Sequence, residues 1–354
     1  MGFLRLSALR KIYAGGTEAV AGIDLVCREG EFVVLLGPSG CGKTTTLRMI
    51  AGLEIPTEGR IEVGGEDITA LPAAARDVGF VFQFYALYPH LRVRQNIAFP
   101  LESVGLPRSE REKQVDEIIQ RLGLGELEGF FPQQLSGGDQ QRVALARAMV
   151  RQPKLYLMDE PLGTLDADLR REMRVLIRSQ QLEMGVTTLY VTHDQEEAMS
   201  LADRVVVMEA GKIRQSGPPA EVYDRPSDLF VAHFMGSPGM NFIEGEVRVE
   251  GGKTSFWDEQ GGFSVDLGRP VPCGRAILGG RPEFVRPVGR GGLAGKVVLD
   301  EYLGDCRNIH LDTACGRLVM RAANGDIEEL DQIIQLGFDA DHLRIFAGDE
   351  GKSI

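Results

Sequence analysis

Short, unbroken apolar runs recur along the first two-thirds of the chain, and each stops at a polar tip. Phe32–Leu36 ends at a glycine-rich loop. Val78–Val81 runs on to Gln83. Leu155–Met158 ends at Asp159 and Glu160, and Thr188–Val191 leads to His193. Continuous apolar stretches of this length, bounded by turn signals, read as strands buried on both faces. Ligands of open α/β sheets gather at the carboxyl ends of such strands, so these tips are candidate site positions. Other stretches alternate instead. Phe3–Leu9 and Ile23–Arg28 read as antiparallel strands joined through Tyr13–Glu18, and a short pair flanks Gly64-Gly65. Val115, Ile118, Ile119 and Leu122 recur at helical spacing, which predicts an amphipathic helix over 110–122 that Gly123 ends. A second helix opens at Ser136-Gly137-Gly138. Arg204–Met208 and Gly211–Gln215 read as closing strands, and Glu221–Phe234 as a helical segment broken at Pro226.

After Gly236-Ser-Pro-Gly-Met240 the texture changes to short alternating strands separated by glycine-rich turns, the pattern of a small barrel or sandwich. At 354 residues the chain is longer than one core usually organises. The division expected is residues 1–235, with helices over about 84–150, and 236–354. A net charge of −12 argues against nonspecific nucleic-acid binding. No apolar run reaches the length of a bilayer span, and the first residues do not form a signal peptide, so a cytosolic location is expected. Cys27, Cys41, Cys273, Cys306 and Cys315 are scattered, with neither disulfide-framework nor zinc-site spacing.

The run Gly37-Pro38-Ser39-Gly40-Cys41-Gly42-Lys43-Thr44-Thr45, after a strand and before a helix, fits the phosphate-binding loop Gly-x-x-x-x-Gly-Lys-[Ser/Thr]. Its glycines let backbone N–H groups turn inward at a helix N-terminus. Lys43 suits the β- and γ-phosphates and Thr44 suits Mg²⁺. Ser136-Gly137-Gly138 is either a second anion-binding helix start or a plain serine cap. Asp159 and Glu160 suit one metal-anchoring acid and one general base. Tyr13 is either a base-stacking aromatic or an exposed turn residue. Phe84–Leu91 is too apolar for a solvated loop, so it either packs inside or meets a partner.

Taken in this order, the motifs make the sequence resemble the ATP-binding-cassette ATPases. The narrower likeness is to ATPase subunits of bacterial carbohydrate importers, the maltose-importer type. It lies in Tyr85–Leu91, Tyr223–Pro226, Gly236–Phe242 and Gly280–Glu283. The resemblance implies an α/β P-loop NTPase with a RecA-like core, an antiparallel β-subdomain and a helical subdomain. An all-β regulatory domain of oligonucleotide/oligosaccharide-binding (TOBE) type would follow. It implies that ATP and Mg²⁺ bind along Gly37–Thr45 and that Tyr13 stacks on adenine. Thr44, Gln83 and Asp159 would serve Mg²⁺, Glu160 would be the base, and His193 would contact the γ-phosphate. Ser136, Gly137, Gly138 and Asp166 would complete the site of a second, facing copy. Two departures stand out: Asp139 where glutamine or glutamate is usual, and the loop that crosses the dimer, which reads Leu162-Gly-Thr-Leu-Asp-Ala-Asp168 where Ser-Asn-Leu-Asp-Ala-Lys is more typical.

The partners implied are a second copy, two membrane permeases reached through Tyr85–Leu91, and indirectly an extracytoplasmic solute-binding protein. Nucleic acid is not among them. The place implied is peripheral, on the cytoplasmic face of the inner membrane. The expected function is ATP hydrolysis that energises carbohydrate import. Glycerol phosphate, polyamine or metal-ion import, or a soluble ATPase uncoupled from transport, are the alternatives.

Overall fold

A computed structural model describes residues 2–260, 262–324, 330–348 and 351–354. Two compact units divide between Pro219 and Ala220. In the first, the elements in chain order are β1 (Leu4–Ile12), β2 (Glu18–Cys27), β3 (Phe32–Leu36), α1 (Lys43–Ala51), β4 (Glu58–Val63), β5 (Glu66–Asp67), β6 (Val78–Val81), α2 (Val93–Ser103), α3 (Arg108–Arg121), α4 (Gly137–Met149), β7 (Leu155–Asp159), α5 (Ala167–Met184), β8 (Thr187–Thr192), α6 (Gln195–Leu201), β9 (Arg204–Glu209) and β10 (Lys212–Gly217).

The continuous apolar runs form one sheet in the order β10-β9-β3-β8-β7-β6. Its neighbours pair in parallel from β9 to β6, and β10 is antiparallel. Every residue of β3, β7 and β8 is buried. Burial on both faces is why these strands carry no alternation. The alternating segments form a second, antiparallel sheet, β2-β1-β4-β5. One face of it packs Leu4, Leu6, Val20, Leu25 and Ile61 into a core shared with Val33, Leu35, Leu157 and Val191 of the first sheet. The helix expected over 110–122 is α3, and it buries Val115, Ile118 and Ile119.

The second unit opens with the short helices α7 (Pro219–Asp224) and α8 (Leu229–Phe234). Strands β11 (Asn241–Glu250), β12 (Lys253–Asp258), β13 (Ser264–Asp266), β14 (Gly274–Gly280), β15 (Val285–Val288), β16 (Leu293–Tyr302), β17 (Cys306–Thr313), β18 (Gly316–Ala323), β19 (Ile333–Phe338) and β20 (Arg344–Ala347) follow. They form two five-stranded antiparallel sheets, β13-β12-β11-β14-β20 and β15-β19-β16-β17-β18. The core holds Ile243, Phe256, Leu278, Val297, Leu311 and Leu336. Residues 220–235 group with this unit, earlier than the division expected after residue 235. The reason is local. Ala232 packs with Met240 and Phe346, and the buried Arg281 donates to the carbonyls of Tyr223, Ala232 and Met235. Among the described residues no helix is long and apolar enough to cross a membrane.

Candidate functional site

Parallel strands deliver their tips to one edge, and the candidate side chains meet there. The loop after β3 closes tightly because its glycines have no Cβ. At Gly37 a Cβ would lie 2.3 Å from the Met208 carbonyl oxygen. At Gly42, where φ is +103°, it would lie 2.3 Å from the Ala19 carbonyl oxygen. Lys43 is only 4% exposed, and its Nζ donates to the carbonyls of Gly37 (2.7 Å) and Pro38 (3.0 Å). The loop thus wraps around its own cation. Tyr13, 38% exposed, has its hydroxyl 3.4 Å from Thr45 Oγ1. Lys11 Nζ stands 5.1 Å from its ring centroid.

The two adjacent carboxylates at the end of β7 separate into different surroundings. Asp159 is buried and accepts from Thr44 Oγ1 at 2.8 Å. Burial pushes its carboxyl above the usual range, against the pull of that hydrogen bond and of Arg48 and Lys43. Glu160, next in sequence, turns the other way. Its Oε2 accepts from Gln83 Nε2 at 3.1 Å and lies 3.2 Å from His193 Nδ1. Tips of β6, β7 and β8 therefore converge on one oxygen. The turn that separates the carboxylates places Glu160 at φ +43° and is held by a bond from its amide to the Val191 carbonyl at 2.9 Å.

Ser136 caps α4. Its hydroxyl accepts from the Asp139 amide at 3.2 Å and donates to Asp139 Oδ2 at 2.7 Å. Asp139 also pairs with Arg142. Burial works against the Asp139 carboxylate, but the bonds from Ser136 and Arg142 outweigh it and hold the carboxyl below the usual range. The unusual acid is thus occupied within its own helix turn. Ser136 and Gly137 are exposed. Gly138 is buried, and a Cβ there would lie 2.4 Å from the Leu169 side chain of α5. Asp166 caps α5 by accepting from the Leu169 amide at 3.0 Å. Ser136–Gly138 and Asp166 therefore cluster beside Leu165, Leu169 and Tyr85.

Phe84–Leu91 is neither fully inside nor free. Tyr85 and Ala86 sit at φ +56° and +49°. Arg147 holds that shape by donating to their carbonyls at 2.8 and 2.6 Å. Tyr85 hydroxyl meets Thr164 Oγ1 at 2.5 Å, which gives a partner to one of the departing residues of the crossing loop. Phe82, Tyr88, Phe99, Pro100 and Arg151 line a groove of about 440 Å³ beside this loop. Arg147 and Arg170 carry no motif spacing and went unnoticed in the sequence. Arg147 lies in the helix that opens at Ser136, whereas Arg170 lies in α5, which the sequence pattern did not predict; each bonds backbone carbonyl oxygen, a role that residue type alone does not announce.

The donor set fits a nucleotide with a hard cation. Glycines leave room for backbone N–H groups to turn to phosphate, and Thr44 with Asp159 offers a hydroxyl and a carboxylate. Among the described residues no cluster of three or more His, Cys, Asp or Glu could hold a metal alone. Mg²⁺ characteristically takes one or two carboxylates and completes its shell with phosphate oxygens and water.

Known proteins show the same organisation. Residues 20–163 match the ABC transporter family and residues 278–346 the TOBE domain. The chain is 42% identical over 352 residues to the sn-glycerol-3-phosphate import ATP-binding protein UgpC of Brucella abortus, covering 97% of each chain. It is 43% identical over 377 residues to the trehalose/maltose import ATP-binding protein MalK of Thermococcus litoralis, covering 100% of each. It is 45% identical over 306 residues to the Fe(3+) ions import ATP-binding protein FbpC 1 of Rhizobium meliloti, covering 86% of each. Among solved structures it superposes on the dimeric post-hydrolysis ATP-binding cassette MJ0796 bound to ADP and Pi. The TM-score is 0.56 at 32% identity, over 61% of this chain and 98% of that one.

Proposed function

Since the chain belongs to the ATP-binding-cassette import ATPases, with a TOBE domain at its C-terminus, we propose that it hydrolyses ATP in a site shared by two copies and so energises a carbohydrate importer. The observation that carries this reading is the separation of two adjacent carboxylates. Asp159 is paired with Thr44, whereas Glu160 is gripped by Gln83 and His193.

Residues 37–45 hold the triphosphate through Lys43 and inward N–H groups, and Tyr13 supports the base. Thr44, Asp159 and Gln83 would hold Mg²⁺, whose chemistry there is to offset negative charge on the phosphate oxygens. Glu160 is the general base. With Gln83 and His193 both on Oε2, Oε1 is the oxygen that would take a proton from water. His193 turns Nδ1 to Glu160 and leaves Nε2 for the γ-phosphate. Most of the lowering of the barrier comes from positioning and preorganised charge. Ser136, Gly137 and Gly138 of one copy complete the site of the other, with the Asp166 loop at the crossing.

The Tyr85–Leu91 segment, with the groove at Phe82, Tyr88 and Phe99 beside it, would seat one of two permeases, with the protein peripheral at the cytoplasmic face of the inner membrane. A solute-binding protein would act beyond the permeases. The MalK relative and the importer-like segments 85–91 and 236–242 favour a carbohydrate. The UgpC and FbpC 1 relatives keep glycerol phosphate and iron as the second reading.

Glu160→Gln tests the mechanism. We expect ATP binding and ATP-driven pairing to persist while kcat falls by about 10²- to 10⁴-fold, the usual contribution of a general base. Turnover near the wild-type rate would falsify the assignment.

A further inference from the structure

We propose that Arg170 is a positioning residue that ties the loop carrying Asp166 to the strand end carrying His193, so that the histidine faces Glu160 only while that loop is seated. This rests on the reading above, in which Glu160 and His193 serve hydrolysis and the Asp166 loop meets the second copy.

The guanidinium bonds two acceptors on two separate segments and faces a third. One terminal nitrogen donates to the Leu165 carbonyl at 3.0 Å, next to Asp166. The other lies 3.5 Å from Asp194 Oδ2. Nε lies 3.9 Å from Glu197 Oε1, buried and without a hydrogen bond among the described residues. These acids fix the surroundings of His193. The Asp194 amide donates to Thr192 Oγ1 at 2.9 Å, so the residues on either side of the histidine are linked. Asp194 Oδ1 caps α6 through the amides of Glu196 and Glu197. Glu197, 2% exposed, accepts from the fully buried Tyr190 hydroxyl at 2.8 Å. His193 in turn sits 3.2 Å from Glu160. The path therefore runs from Leu165 through Arg170 and Asp194 to His193 and Glu160.

Two features separate this from simple charge compensation. A cation beside buried acids is all that compensation requires, and a lysine would supply it. The observed contacts use the fork of an arginine, which can hold a carbonyl and a carboxylate at once. A buried donor without an acceptor is also costly, and 3.9 Å is just outside bonding range. Under this proposal, seating of the Leu165–Asp166 loop shifts Arg170 through its bond to the Leu165 carbonyl and so changes its hold on Asp194 and Glu197. Docking of a second copy against that loop would then be felt at His193.

Arg170→Lys is the test, because it keeps the charge that the buried acids need. Three quantities are measured on the full chain: the melting temperature, kcat and KM for ATP, and ATP-driven pairing in a Glu160→Gln background. The expected result is an unchanged melting temperature, KM and pairing each within about twofold, and a kcat lowered about tenfold or more, the scale of a sub-ångström misplacement. A wild-type kcat overturns the proposal, since charge alone then suffices. Parallel loss of pairing and kcat also overturns it, since the role is then structural. If Arg170→Lys does not fold, Asp194→Asn replaces it. Asparagine still caps α6 but weakens the arginine's grip, and it must lower kcat with pairing intact. Failure of the underlying reading looks different: Glu160→Gln alone then hydrolyses ATP normally, whatever residue 170 is.

Discussion

Glu160 occupies a backbone conformation that side chains rarely adopt, with φ at +43°. Such positions cost about 1–3 kcal/mol and persist when the surroundings over-determine them. Here the amide is bonded to Val191, and the side chain is held by Gln83 and His193. The strain turns one carboxylate toward Gln83 and His193 while its neighbour stays with Thr44. Removing the side chain should expose this cost. Glu160→Gly and Glu160→Ala both lose the base, but the glycine variant should be more stable by about 1 kcal/mol, because only glycine accepts positive φ freely. Urea midpoints of the two variants check it; equal midpoints would show that the turn is unstrained. The sequence made Glu160 visible as an acid at a strand tip. It could not show which way the side chain turned, because adjacent acids look alike until a backbone angle separates them.

At the scale of elements, the phosphate-loop strand must hold its register between β8 and β9. Part of that register is electrostatic. Glu31, just before β3, accepts from Arg204 at the start of β9 through both oxygens, at 2.8 and 3.0 Å. Burial disfavours the Glu31 carboxylate, but bonds from Arg204 and the Arg28 amide outweigh it and hold the carboxyl below its ordinary value. A folded-state pKa below the unfolded one adds stability that is present above the unfolded value of 4.5 and lost as pH falls through the folded value. Glu31→Gln should therefore destabilise the protein by about 2 kcal/mol at neutral pH, as loss of a charge-assisted pair does. The gap to wild type should begin to shrink as pH falls below 4.5, where the unfolded chain takes up the proton, and close as pH passes through the lower folded value. Denaturant midpoints at pH 7 and pH 3.5 measure it, and a gap that widens on acidification contradicts the argument. The strands themselves were plain in the sequence as apolar runs. This pair was not, because its partners are 173 positions apart and neither sits in a motif.

At the scale of the whole molecule, the first unit presents a groove lined by Phe82, Tyr88 and Phe99, with Phe84 74% exposed nearby. An apolar surface of this kind is characteristic of a partner seat. Affinity purification from detergent-solubilised membranes should recover two multi-span permeases and a solute-binding protein, whose identity would give the cargo. Recovery of soluble partners alone would leave an ATPase with another role. Local patterns in the chain by themselves determined the nucleotide-binding loop, the buried parallel strands, their polar tips, the capped helix at Ser136 and the all-β character of the C-terminal part. Those features rest on periodicity, glycine placement and capping, which act over a few residues. Only the tertiary structure decided that Gln83, Glu160 and His193 share one oxygen, that Asp139 is absorbed by Ser136 and Arg142, and that residues 220–235 group with the β unit. It also decided that Arg170 bridges the Asp166 loop to Asp194. These depend on strand order and on long side chains reaching across chain segments, and a one-dimensional pattern carries neither.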